Sequence, residues 1–200
     1  MPALFGIRIN CRGRPPCLPF LIPMNKPLEE NYHRRTIRLQ DYDYSLEGAY
    51  YITICVQNRS CLFGDIANEI VIPNDAGNMV QKMWDELPLY YPGIALDAFI
   101  LMPNHVHGII VLTGETGQAR GPAPTFISLP DVMQRFKSIT TAKYRKGVTE
   151  NGWAPFEGKL WQRNYYEHII RSEKALNSIR EYIFANPAKW AYDKENPAHN

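Results

Sequence analysis

The sequence predicts an α+β domain of the ferredoxin-like kind: a split βαβ sandwich, with an antiparallel four-stranded sheet, two helices on one face, and an added C-terminal helix. Three observations predict it. Four short segments are β-branched, aromatic or alternating, beginning with Ala49-Tyr50-Tyr51-Ile52-Thr53-Ile54-Cys55-Val56. Three other segments repeat their apolar residues at helical spacing. The order is strand, helix, strand, strand, helix, strand, helix, and its first six members spell the split unit. The chain has 200 residues, 45% hydrophobic and 21% charged, ordinary material for one domain with a buried core. It has no internal repeats.

Residues 1–31 are rich in Pro, Arg and Asn, lack periodicity, and are expected to form an irregular arm. The composition before Met24 is so unlike the rest that upstream read-through would account for it. The domain is expected over 32–192. Gly48 to Val56 is the first strand, closed by Asn58-Arg59-Ser60, and Glu69-Ile70-Val71-Ile72 reads as a short extra strand. Asn74 or Asp75 caps a helix expected to run to about Tyr90, with Met79, Val80, Met83, Trp84 and Leu87 on its apolar face. Pro92-Gly93 ends it. Ile94 to Met102 is the second strand, and Pro103-Asn104 leads tightly into the third over 105–112. Gly114, Gly117, Gly121, Pro122 and Pro124 mark a loop. Ser128 caps a helix expected to stop at Gly147, with Leu129, Val132, Met133, Phe136 and Ile139 inward. Residues 159–170 read as the fourth strand. Ser172-Glu173-Lys174 opens the last helix, expected to end at Pro187, and 193–200 reads as a polar tail.

A net charge of +2 does not by itself indicate a nucleic-acid partner. The distribution says more. His33-Arg34-Arg35-Thr36-Ile37-Arg38 is a basic knot, and Arg163, Arg171, Lys174 and Arg180 surround the Tyr182 motif; solvated helix faces are the bland alternative. The four cysteines, at 11, 17, 55 and 61, include no Cys-x-x-Cys pair, which speaks against a structural zinc site. No apolar run approaches the roughly 18 residues of a membrane span, and prolines interrupt the N-terminus where a signal peptide would be continuous. A cytoplasmic location without membrane attachment is expected.

Two motifs carry chemistry. His105-Val106-His107 lies in the third strand, where residues i and i+2 share a face, so both imidazoles project together. Tyr182 and Asn186 lie four apart in the last helix and share a face. Packing that helix on that strand gathers two imidazoles, a carboxamide and a phenol around one point. Two imidazoles and an amide oxygen leave coordination positions open, as Mg²⁺ or Mn²⁺ needs if phosphate oxygens and water are to bind. Such a site with a tyrosine beside it suits breaking and rejoining a DNA phosphodiester. Each part has a plainer reading: strand histidines satisfied by hydrogen bonds, a tyrosine at the margin of the Leu176, Ile179, Ile183 stripe, and a helix C-terminus stopped by proline.

Together the motifs resemble a known family. Met102-Pro103-Asn104-His105-Val106-His107, Leu160-Trp161-Gln162-Arg163, Tyr165-Tyr166-Glu167-His168-Ile169-Ile170-Arg171 and Glu181-Tyr182-Ile183-Phe184-Ala185-Asn186-Pro187 follow in the order seen in the REP-associated tyrosine transposases, a branch of the single-tyrosine His-hydrophobic-His transposases. The resemblance covers about 32–192. It implies a ferredoxin-like core, Tyr182 as nucleophile, and His105, His107 and Asn186 as ligands of Mg²⁺ or Mn²⁺. It implies single-stranded or hairpin DNA as partner, a 5′-phosphotyrosine intermediate, and a monomer or homodimer. It gives no role to His168; that residue, with Arg163 and Arg171, is a candidate for supporting the site or touching DNA. Rival readings are another enzyme of the same superfamily, a replication initiator or relaxase, and a non-catalytic RNA-binding module of the same architecture. Relaxases usually carry a third histidine and a larger chain, and the module's Lys/Arg-Gly-Phe/Tyr-x-Phe strand is missing here.

Overall fold

The computed structural model describes residues 42–114 and 127–199. The arm, the basic knot and most of the glycine-rich loop lie outside the described residues. In chain order the elements are β1 (Gly48–Cys55), β2 (Gly64–Ala67), β3 (Ile70–Pro73), α1 (Asp75–Asp85), α2 (Leu87–Tyr90), β4 (Ile94–Leu101), β5 (His105–Leu112), α3 (Leu129–Asn151), β6 (Tyr166–Ile170) and α4 (Glu173–Lys189). The main sheet has the order β4-β5-β1-β6, antiparallel throughout, which is the split βαβ topology.

Strand periodicity sends alternate residues to two different surroundings. Tyr50, Ile52 and Ile54 of β1 and Val106, Ile110 and Leu112 of β5 face α1 and α3, where they join Trp84, Leu129, Met133 and Phe136 in the main core. Trp84 stacks on Phe99 with ring centroids 4.7 Å apart. It also lies flat over Gly108, where any Cβ would collide with the indole, so this position of β5 needs glycine. The opposite residues, among them Tyr51, Ala98, Ile109, Val111 and Ile170, form a smaller cluster covered by Ile183, Ile179 and Leu176 of α4.

The helix starts are as the sequence indicates. Asn74 accepts from the Gly77 amide at 2.9 Å, and Ser128 and Ser172 cap α3 and α4 in the same way. Several boundaries differ. The expected helix to Tyr90 is two pieces, because Pro88 has no amide hydrogen to continue the ladder and the chain restarts at Leu87. Gly147 does not stop α3, which runs to Asn151 and closes on Gly152 at φ 68°. Gly147 is instead where the Trp153 ring packs on the helix backbone, too close for a Cβ. The expected strand over 159–170 is regular only in β6; Trp161 makes an isolated bridge to Val56. The short extra strand is real, as β3, and pairs with β2 in a hairpin. Helix α4 continues two residues past Pro187. After α4, 190–192 forms a 3₁₀ turn, and the segment read as a polar tail has structure of its own: 197–199 forms another 3₁₀ turn and Glu195 pairs with Arg59 at 2.9 Å.

Candidate metal and tyrosine site

The site lies on the α4 face of the sheet, at the end where β5 begins. His105 and His107 are both buried. Their Nε2 atoms stand 3.0 Å apart. The surrounding hydrogen bonds assign the proton of His105. Asn104 Nδ2 donates to the carbonyls of Arg59, at 2.8 Å, and Glu195, at 2.7 Å, so its Oδ1 is left to accept from His105 Nδ1 at 2.8 Å. Thr53 donates to Tyr51 Oη at 3.0 Å, and Thr53 Oγ1 and Tyr51 Oη both lie 2.8 Å from His107 Nδ1, so that nitrogen can serve as donor or acceptor. With its Nδ1 protonated, His105 turns a bare Nε2 lone pair toward His107 Nε2. That lone pair can accept a hydrogen bond from His107 or share a cation with it. Two nitrogens at about 2.1 Å from one ion, in neighbouring coordination positions, would be about 3 Å apart. The donor set thus fits a metal. Burial drives both imidazoles toward the neutral, ligating form, with pKa values lowered to about 3; for His107 the neighbouring His105 adds to the effect.

Asn186 is 3% exposed. Its Nδ2 donates to the Tyr182 carbonyl at 2.7 Å and, at the limit of hydrogen-bond distance, 3.5 Å, to the Ile183 carbonyl. Pro187 cannot supply the amide that would normally reach Ile183, so the side chain makes up part of what the proline removes. With its nitrogen committed there, Asn186 turns its oxygen toward His107, and the two side chains interact. Tyr182 is 45% exposed, with its ring 5.6 Å from His107 and 6.2 Å from Tyr51. Tyr51 Oη also lies 2.8 Å from His107 Nδ1, and burial holds this phenol protonated.

Asp193 was missed by sequence reasoning. Its Oδ2 lies 3.8 Å from His105 Nε2, and among the described residues it completes a His-His-Asp group whose ligand atoms fall within 4.8 Å of one another. No spacing signals it, because it follows the last helix and is brought in by Asn104 gripping Glu195. The other candidates are peripheral. His168 is exposed on the edge strand opposite Tyr51, its pKa lowered by partial burial and then by Arg171. Arg163 is exposed beside Gln57, Asn58 and Lys159, and its carbonyl accepts from Lys137 Nζ at 3.0 Å. Arg171 is exposed where β6 meets α4. A cleft opens over the site between Gln162, Asn164, Tyr165 and Tyr166 on one side and Asp193 to Glu195 on the other, with Tyr182 in its wall.

A four-stranded antiparallel sheet with a His-x-His strand under a tyrosine-bearing helix defines a class, and comparison with known proteins gives it a family. The sequence pattern of the IS200-like transposases matches residues 49–186, from β1 through Asn186. The chain belongs to the IS200-like transposase family. It is 42% identical over 170 residues to an uncharacterized protein of Haemophilus influenzae, covering 82% of this chain and 93% of that one. It is 26% identical over 157 residues to a protein of the same species named as a REP-associated tyrosine transposase, covering 75% of this chain and 76% of that one. In fold it is similar to a solved REP-associated tyrosine transposase bound to a REP hairpin, with TM-score 0.51, 19% identity, and 78% and 76% of the two chains covered. Among the described residues, no helix is long and apolar enough to cross a membrane.

Proposed function

We propose that this chain cleaves and rejoins single-stranded or hairpin DNA, with Tyr182 as nucleophile and His105, His107 and Asn186 as ligands of Mg²⁺ or Mn²⁺. The observation that carries the reading is the approach of the Tyr182 ring to within 5.6 Å of His107, with Asn186 one turn further along the same helix. The cation, when bound, polarises the scissile phosphate and screens its charge. The protein does the rest. The imidazoles, kept neutral by burial, are in the ligating form and have their Nε2 atoms turned to one another. Asn186 offers a neutral oxygen, so it and the two imidazoles add no negative charge to repel a phosphate. Asp193 is a further candidate ligand.

Tyr182 is exposed enough to meet a DNA backbone. Its oxygen attacks phosphorus, the bond to the 3′ oxygen breaks, and the phenolic proton is lost as the 3′ oxygen gains one. The products are a 5′-phosphotyrosine and a free 3′ hydroxyl. The covalent link conserves the phosphodiester energy, so a second 3′ hydroxyl reverses the step and joins new ends without ATP. Single strands and hairpin tips suit a nucleophile that must reach a backbone in line, and the tyrosines of the cleft offer surfaces for unstacked bases. The solved relative was captured on a REP hairpin, which supports that class of DNA.

The test is a denaturing gel of the protein with labelled single strands from the flanks of its own gene and Mn²⁺. A covalent adduct is expected with wild type and none with Tyr182→Phe, while hairpin binding changes little. An adduct at wild-type level in the mutant would remove Tyr182 from the role.

A further inference from the structure

Helix α4 is tied to its sheet by an ion pair that the proposed chemistry does not use. Arg180, two residues before Tyr182, points at Asp97 of β4. Its Nε donates to Oδ1 at 2.7 Å and its Nη2 donates to Oδ2, a bidentate fork. Nη1 donates to Asn177 of the same helix at 2.9 Å. The Asp97 side chain is 8% exposed and that of Arg180 33%, so the pair is partly shielded from water.

Asp97 owes its place to an irregularity in β4. Leu96 pairs with Ile110 and Phe99 with Gly108, so Asp97 and Ala98 together oppose Ile109. Two residues against one make a β-bulge, which re-aims a side chain. Around it, Ile94, Leu96, Phe99 and Leu101 face the main core, and Ala95, Ala98 and Ile100 face α4. Delete Asp97 and the strand reads Ile-Ala-Leu-Ala-Phe-Ile-Leu, an unbroken alternation. β4 therefore holds one residue more than its pairing needs, and that residue is the carboxylate Arg180 grips.

The remaining contact under α4 is the smaller cluster, where Ala49, Ala95 and Ala98 stand beside Ile100, Ile109 and Val111 on the sheet. Apolar contact is non-directional, whereas a bidentate ion pair is directional, so the fork constrains the rotation of the helix in a way the apolar cluster does not. Rotation is what the tyrosine needs, because one residue on a helix is about 100° around the axis.

We propose that Asp97 and Arg180 are positioning residues: the bulge-borne carboxylate and the arginine fork fix the rotation of α4 so that Tyr182 stands over His107. The inference rests on Tyr182 being the nucleophile. Its test uses the full chain in two measurements: single-turnover cleavage with Kd on a single strand from its gene's flanks, and amide hydrogen exchange of the protein alone. Arg180→Met is expected to slow cleavage at saturating DNA about 100-fold, the loss typical of a misplaced reacting group, with Kd within about twofold. Arg180→Lys, which keeps the charge but loses the fork, falls between. Exchange over residues 176–186 quickens while β5 stays protected. Deletion of Asp97 behaves like Arg180→Met; if that chain fails to fold, near-isosteric Asp97→Asn decides by the same measurements. Cleavage within about twofold of wild type in Arg180→Met overturns the proposal. So does a Kd that weakens in step with the rate, since Arg180 would then be binding DNA. A wild-type chain that forms no adduct overturns the nucleophile assignment instead, and unaltered exchange in Arg180→Met still overturns the clamp.

Discussion

The two faces of the sheet are built from the same strands and do opposite work. Toward α1 and α3, β1 and β5 present Tyr50, Ile52, Ile54 and Ile110, met by Trp84, Phe136 and Leu129 in a dense apolar layer. Toward α4 they present Ala49, Tyr51, Thr53, Ile109 and Val111 together with His105 and His107, so part of the apolar layer gives way to alanine and to polar groups, the histidines buried. Because the strand period is two, the sequence neighbours Ile52 and Thr53, or Val106 and His107, belong to different economies. One face supplies the burial that stabilises the domain. The other uses that stability to keep two imidazoles and a carboxamide out of water, which is unfavourable in itself.

The comparison breaks most visibly where the chemical face is emptied. His105→Ala or His107→Ala should lower cleavage by roughly 10³-fold or more, the several kcal/mol that a cation supplies to a phosphoryl transition state. Calorimetric titration with Mn²⁺ should show binding lost in step, while the melting temperature in chelator holds or rises. Wild-type cleavage in excess chelator would defeat the metal reading. On the opposite face, Trp84→Ala should cost about 3–5 kcal/mol by urea denaturation. Leu176→Ala, on the half-buried face of α4, should cost about 1–2 kcal/mol. Equal losses would mean that the faces do not divide the work in this way.

Acid sharpens the contrast. His105 and His107 are held neutral in the folded chain down to about 3, whereas an unfolded histidine titrates near 6.5. Between those values the unfolded chain binds more protons. Stability of the cation-free protein therefore falls as pH drops below about 6.5, by up to about 1.4 kcal/mol per pH unit for each histidine, and levels off below about 3. Urea midpoints from pH 7 to 5 in chelator should slope for wild type and flatten in the double alanine variant; parallel slopes would refute the assignment. The smallest effect expected is at Asp193. Asp193→Asn should weaken Mn²⁺ binding about 10-fold, on the scale of one lost supporting interaction at a metal site. Asn186→Ala should weaken it at least as much, with partial rescue of cleavage by high Mn²⁺. A titration of either variant that overlays wild type would exclude that residue from the site.

What could be read from the sequence followed periodicity. All four strands of the main sheet and the three long helices were legible, because each carries a face of apolar residues at its own spacing. The meeting of His105, His107, Tyr182 and Asn186 was legible too, since i,i+2 on a strand and i,i+4 on a helix are geometric statements. The misses share a cause: they depend on contacts far away in sequence. β2 offers only Ile66 and Ala67 as apolar signal and exists because β3 returns beside it. Gly147 looks like a stop signal until Trp153 packs on it. The bulge at Asp97 is invisible without knowing what opposes Ile109. Asp193 lies where no periodic pattern remains.

Asn104 shows how narrow a single position can be. It is fully buried, and its amide must give two hydrogen bonds to carbonyls and receive one from an imidazole, all in one plane. Aspartate has nothing to give, serine and threonine can give only once, and glutamine has the right valence on a stem one methylene too long for a packed interior. Of the natural side chains only asparagine satisfies all three neighbours. The third letter of Met-Pro-Asn-His is thus spelled by stretches of chain on both sides of it, the turn after β1 and the segment after α4.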